Sequence, residues 1–183
     1  MPIISLKTGT KSRSLLVGNP YFQPTSYESI ASYSGSGVST ITFSSIPSTY
    51  VALQIRSIAI GTDTTIYLQF NSDTGANYTQ HRLIGNGSTV AAAGFTGETN
   101  ITNICRAQST NPGVAITDII DYASTSKYKT VRNFRGEDAN GSGNVYLNSG
   151  LWLSTSAITS IKLTTTANMS AGTTFALYGI KGA

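Results

Sequence analysis

The chain has 183 residues, which suits one domain with a tail, and 39% of them are hydrophobic, enough to build a buried core. Only 11% are charged, against roughly 25% in an ordinary soluble domain. Ser and Thr are abundant in their place. Because Thr, Val, Ile and Tyr suit pleated strands, this composition argues against a mainly helical protein and predicts β structure.

The low charge also indicates the setting in which the protein works. Free cytosolic proteins use charge to stay soluble and apart. A Ser/Thr/Asn surface is tolerable where neighbouring subunits cover it, and equally on a secreted β-domain, so composition leaves both settings open. The net charge of +4 is concentrated in residues 1–20, where Lys7, Lys11 and Arg13 have no acidic neighbour. Three cations are too few for a strong polyanion binder, so nucleic-acid binding is not expected beyond a weak contact.

Residues 1–24, which begin the chain, are predicted to form an extended basic arm. They hold three of the five prolines, which exclude helix interiors and central strands. Two apolar patches indicate docking into grooves, whereas a frayed terminus is the alternative. The arm residues assigned to assembly contacts are Ile3, Ile4, Lys7, Lys11, Arg13, Leu15, Leu16 and Val17.

Residues 25–37 are predicted to be a Ser/Gly linker, and strand-like alternation begins after them. Turn-forming clusters separate the predicted strands, which are 38–44, 51–60, 64–70, 78–84, 113–123, 127–134, 144–153, 158–164 and 173–180. Region 85–112 is rich in Gly, Ala and Thr, so its strands are less defined. The one helical turn that the sequence allows is near 121–126. The fold expected is all-β, a single jelly-roll-like β-sandwich of about 8–10 strands over residues 38–183, with the arm in front.

The sequence shows neither the secretory signal of an exported protein nor the long apolar segment of a membrane protein. The start lacks a long apolar segment of the secretory type, and no stretch approaches ~20 apolar residues. Cys105 is the one cysteine, so no disulfide forms within the chain. The expectation is synthesis in the cytoplasm, with no export and no membrane contact.

The residues that catalysis would need are sparse. His81 is the one histidine, and a Ser-His-Asp triad would have to use it. A structural or surface role for His81 and a packing role for Cys105 are the simpler interpretations. Among the eight acids the closest pairs are Asp118/Asp121, predicted to face opposite ways, and Glu137/Asp138 in a loop. We therefore expect no enzymatic activity.

No cofactor or metal is expected either. The segment FNSDTGAN places oxygen-bearing side chains as a Ca²⁺ loop does, but it lacks the distal bidentate Glu, and an Asx-turn explains it more simply. Trp152 lies in the apolar run LNSGLWL and is predicted to be a core residue, although exposed aromatic residues can also bind sugars or proteins.

Five segments carry a resemblance to a known group of proteins: ITFSSIPSTYVALQIR, IYLQFNSDTGANYTQHRLIGNG, ITDIIDYASTSKYKTVRNFRG, GLWLSTSAITSIKL and FALYGIKGA. Over residues 38–183 the chain resembles tailed-bacteriophage virion structural proteins, the tail-fibre or capsid-decoration type frequent in marine and cyanobacterial phages. The resemblance implies a β-sandwich displayed on a phage particle. It implies no catalytic residues.

The function expected is that of a non-enzymatic virion structural protein. It would be made in the host cytoplasm, contact other capsid or tail proteins through its arm, and form a homo-oligomer such as a trimer. The alternatives are a receptor- or glycan-binding tip module, with exposed aromatic residues in loops such as 71–77, 85–100 or 136–143, and a glycan-cleaving enzyme with two convergent acids. A satellite-virus coat protein ranks lower because three cations are few for packaging RNA.

Overall fold

The computed structural model describes residues 26–109 and 111–182. Within these residues the chain forms twelve strands and no helix. In chain order the strands are β1 (Tyr27–Gly35), β2 (Thr40–Phe43), β3 (Ala52–Ala59), β4 (Thr64–Phe70), β5 (Tyr78–Gly85), β6 (Val90–Glu98), β7 (Ile101–Ala107), β8 (Gly113–Ile120), β9 (Lys129–Asp138), β10 (Gly143–Trp152), β11 (Ile161–Thr164) and β12 (Thr173–Ile180).

The strands form two packed antiparallel sheets, and the predicted jelly-roll-like β-sandwich is confirmed. The larger sheet has eight strands in the order β1-β12-β3-β8-β9-β10-β5-β6, and the smaller has four in the order β2-β11-β4-β7. The chain crosses repeatedly from one sheet to the other, which lets both inner faces share one core.

The core lies between the two sheets and follows the alternation of the strands. In β4 the apolar residues Ile66, Leu68 and Phe70 are buried, and β3 and β12 oppose them with similar inward residues. One end of the core is aromatic: the Trp152 ring centroid lies 5.5 Å from that of Phe70 and 6.4 Å from that of Tyr78. The core role predicted for Trp152 is therefore confirmed.

The segment 25–37 differs from the prediction, because most of it is strand β1 and not a linker. An edge strand needs few apolar residues, and here Ile30, Ala31 and Tyr33 suffice to pack against the core. The Ser-rich remainder faces outward and hides the strand pattern. Two further strands, β6 and β7, occupy region 85–112, so the described residues hold twelve strands where eight to ten are predicted. Residues 121–126 form a turn, closed by Ser124 N donating to Asp121 O at 2.9 Å.

The predicted arm lies outside the described residues, and so do all eight of its assigned contact residues. The first described strand, β1, is one edge of the larger sheet, and β6 is the other edge.

Candidate functional site

The inner face of the larger sheet is polar where it faces β7. That strand is bulged, with an irregularity in its pairing to β4 and Asn103 at φ 59°. A bulge leaves backbone groups without ladder partners. Buried amide side chains of the larger sheet supply the missing bonds, because a buried polar backbone group without a partner is costly.

Three of these amide contacts bind β7 directly. Gln80 Oε1 accepts from Thr102 N at 3.1 Å. Asn133 Nδ2 donates to Ile104 O at 2.8 Å, and Asn148 Nδ2 donates to Asn103 O at 2.9 Å. Amide side chains on β5, β9 and β10 thus replace the apolar residues expected at inward positions.

A buried ion pair extends this polar interior. Arg135 and Glu137 are both enclosed on β9 and bind each other. Arg135 also donates to Asn103 Oδ1 at 3.2 Å, and its guanidinium lies 3.5 Å from the Tyr146 ring centroid. Burial lowers the pKa of Arg135, and the nearby Glu137 opposes that effect. Removing either partner would leave an uncompensated buried charge, so we interpret the pair as structural.

While several inward positions of these strands are polar, apolar residues occupy outward positions. Two cross-strand rows run from β8 to β6 on the outer face of the larger sheet. We call them the apolar band. All ten residues in the rows are apolar or glycine: Val114, Gly136, Val145, Gly85 and Val90 in one, and Ile116, Phe134, Leu147, Leu83 and Ala92 in the other.

In the part of the chain that the structure describes, the apolar band is open to solvent. Phe134 is 56% exposed, Leu147 55% and Val90 74%. With large apolar side chains roughly half exposed, the band presents on the order of 600 Å² of apolar surface. That equals the upper end for the largest apolar patch on a typical monomer, which is about 300–600 Å².

The cross-strand row beside the band holds Gln54, Asp118, Arg132 and Ser149, and we call it the polar row. Its side chains are hydrogen-bonded within the sheet. Gln54 Nε2 donates to Asp118 Oδ1 at 2.8 Å, while Gln54 Oε1 accepts from Arg56 Nε at 2.9 Å. Arg132 Nη1 donates to Ser149 Oγ at 2.6 Å. Side chains already bound to one another lose less hydration when a partner covers them, so this face is suited to burial.

The residues that catalysis would need lie apart. His81 is on the outer face, with its ring over Gly94, where an added Cβ would come within 2.9 Å of the ring. Cys105 is fully buried between the sheets, and burial raises the pKa of its thiol to about 12. A thiol held protonated in this way is a poor nucleophile.

The acids have separate partners too. Asp121 Oδ1 pairs with Lys127 Nζ at 3.2 Å. Glu137 points into the interior whereas Asp138 on the same strand is exposed. Within residues 26–109 and 111–182, no group of three His, Cys, Asp or Glu side chains could hold a metal ion.

The 71–77 loop uses its oxygens internally. Asp73 accepts hydrogen bonds from Trp152 Nε1 at 2.7 Å and Gly75 N at 2.9 Å, and Asn77 Nδ2 adds a third. Burial alone would raise the pKa of Asp73, but these bonds outweigh it and hold the pKa below its usual value. The loop is a structural turn that fastens Trp152.

Two clefts open where the β5–β6 and β9–β10 hairpins meet the β7–β8 connection. One, of about 850 Å³, has Asn86, Asn111 and Asn144 among its lining residues. The other, of about 570 Å³, includes Asp63 and Arg106. Arg106 Nε is buried and has no hydrogen-bond partner among the described residues. The aromatic cluster expected of a glycan-binding tip is not part of the lining described for either cleft.

No family model, curated protein or solved structure matches the chain significantly. In the described part of the chain, no helix is long and apolar enough to cross a membrane.

Sequence reasoning did not single out the apolar band. A signal was present in TVRNFRGED, where Phe134 lies between Asn133 and Arg135. Strict alternation puts Phe134 on one face and both polar neighbours on the other, but it does not tell which face is buried.

Proposed function

We propose that this chain is a non-enzymatic structural protein of a bacteriophage particle, a head decoration, fibre or tail-associated component. It acts as a homo-oligomer and is anchored to capsid or tail proteins through residues 1–24. The apolar band is the observation that carries the proposal.

The band supports a multi-copy role because so much solvent-exposed apolar surface is unfavourable in a free monomer. Exposed apolar surface on this scale promotes association, and a chain with 11% charged residues has little charge repulsion to oppose it. In a particle the same surface is buried against a neighbouring copy and contributes to assembly. The resemblance to phage virion proteins gives the proposal its setting.

A second copy is the partner proposed for the band. Interfaces between identical subunits are more apolar than transient ones. A standard interface buries roughly 800 Å² per partner, and the apolar surface of the band, on the order of 600 Å², is most of that. A different protein that is guided to a surface by electrostatics usually meets complementary charge there. The ten apolar or glycine positions of the band provide no charge.

The experiment is mass spectrometry of purified particles from the phage that encodes the chain, with and without residues 1–24. The full chain should appear in many copies per particle, and the chain lacking residues 1–24 should be lost from particles although circular dichroism shows its β-body folded. A full chain missing from purified particles would overturn the structural role. Normal incorporation of the truncated chain would overturn the anchoring role.

The second candidate is receptor or glycan binding, and the two clefts at the hairpin end favour it. Amide, hydroxyl and guanidinium groups line these clefts, Arg106 among them, and can hydrogen-bond a sugar hydroxyl or carboxylate. A glycan array should show binding by the wild type that Arg106→Gln reduces. Equal signals for both chains, or no signal at all, would remove this candidate.

A further inference from the structure

The outer edge of β6 combines three properties that an isolated protein avoids. It is the terminal strand of the larger sheet, it is exposed along most of its length, and its first five residues are Val90-Ala91-Ala92-Ala93-Gly94. Natural edge strands are usually blocked by charge, proline, a bulge or a covering loop, because open backbone groups pair with other chains. Residues 90–94 have neither charge nor proline.

The opposite edge of the same sheet is blocked. Strand β1 has a register irregularity between Ser29 and Ala31, and Glu28 forms an ion pair with Lys181 at 2.6 Å. Both features hinder the approach of another strand. The contrast between the two edges indicates that β6 is left open for pairing.

The hydrogen-bonding pattern shows which β6 groups face the open edge. Asn86 N donates to Thr89 O at 3.2 Å and closes the β5–β6 hairpin. The ladder alternates from that pair, so Ala91 and Ala93 bond to β5. Val90, Ala92 and Gly94 therefore direct their N–H and C=O groups outward. Further along, a register shift and Gly97 at φ 70° end the regular edge.

We propose that β6 pairs with β6 of a second copy in antiparallel orientation across a two-fold axis at Ala92. In this register Ala92 faces its own counterpart, and Val90 of each copy faces Gly94 of the other. The three outward residues of each strand then exchange six backbone hydrogen bonds across this β6–β6 contact, which we call the seam. This proposal rests on the multi-copy role proposed above and specifies one of its contacts.

A second copy fits this edge better than a foreign strand does. Two-fold pairing uses the same edge of both copies and leaves neither open, whereas pairing β6 with β1 would be a head-to-tail contact and would need the blocked β1 edge. The small side chains of residues 91–94 allow close approach with no like charges opposed. The seam also joins the two apolar bands, which end at Val90 and Ala92, into one surface of about 1,200 Å².

The seam affects copy number. A two-fold contact requires an even number of subunits, so a trimer assembled through the apolar bands would become a hexamer. Loss of the seam alone should therefore halve the mass of the oligomer.

The first test is cross-linking of the full-length chain. In Ala92→Cys, the Cα atoms of the two hydrogen-bonded residues would lie about 5.5 Å apart, within disulfide reach. Mild oxidation should give a covalent dimer on a non-reducing gel. Ala91→Cys is the control. Residue 91 lies opposite residue 93 of the other copy and only diagonally from residue 91 of that copy, so this variant should run as a single chain on the gel. The buried Cys105 does not compete. An Ala92→Cys chain that stays monomeric, or equal cross-linking of the two variants, would overturn the proposal.

The second test removes one edge N–H. Ala92→Pro deletes a donor that faces outward and spares the β5 ladder, a position at which edge strands accept proline. Sedimentation should show the oligomer mass halved, with the far-ultraviolet circular dichroism of the wild type, while Ala92→Val keeps the full mass. An unchanged mass in Ala92→Pro would overturn the seam. The proposed virion role fails separately, by absence of the chain from particles.

Discussion

Replacing Phe134 by Ser tests whether the apolar band is covered by another copy. The side chain is 56% exposed in the single chain. A fully exposed aromatic residue offers roughly 200 Å², so about 110 Å² of Phe134 remains to be buried on association. At about 25 cal/mol per Å², that is close to 3 kcal/mol for each copy of the residue, or about a 100-fold rise in the dissociation constant. The unfolding free energy of the single chain should change by no more than about 0.5 kcal/mol, because the site is on its surface.

The assay is sedimentation equilibrium of the full-length chain over a range of concentrations, combined with thermal unfolding. Tyr128→Ser is the matched control, since Tyr128 is 50% exposed but lies outside both rows of the band. Only Phe134→Ser should weaken association. Equal masses for wild type and Phe134→Ser would refute the reasoning. If the masses were equal and Phe134→Ser also had a lower melting temperature than the wild type, other residues of the same chain would cover the band.

Three further predictions concern the body. Lys129→Met should cost about 2 kcal/mol in urea unfolding, because the buried Lys129 Nζ donates to three carbonyl oxygens, those of Lys127, Ser154 and Thr155. Lys127→Met should cost under about 0.5 kcal/mol because its ion pair is exposed. Asp73→Asn should be destabilising at neutral pH. The lowered pKa of Asp73 gives stability that is present above the unfolded pKa and lost as pH falls through the folded one, so the two unfolding free energies should converge on acidification, and a constant gap would contradict this. Cys105 should react with a thiol reagent only after unfolding, and fast labelling of the native chain would show that the burial is wrong.

The regular strands of the core could be predicted because alternation alone defines them. Strand β4 is predicted to its last residue, since its inward and outward residues differ clearly and turn-forming residues bound it. Strand β1 was missed because an edge strand can be rich in serine, and β6 because Ala and Gly give no contrast between faces.

The apolar band could not be predicted for a different reason. It lies behind inward amide side chains of β9 and β10 that bind the bulged strand at Asn103 and Ile104, so both faces of these strands depart from the usual pattern. A bulge is a property of two paired strands, and the sequence of one strand does not reveal it. The arm residues, in contrast, stand out by composition, and their role stays a prediction.

The central claim is that the body carries a surface for other copies of itself. The most direct measurement is the mass of the full-length wild-type chain by sedimentation equilibrium at micromolar concentration. We predict a defined, even multiple of the 19.2 kDa chain mass. A mass of one chain at every concentration up to about 100 μM, which corresponds to association weaker than about −5.5 kcal/mol, would contradict it.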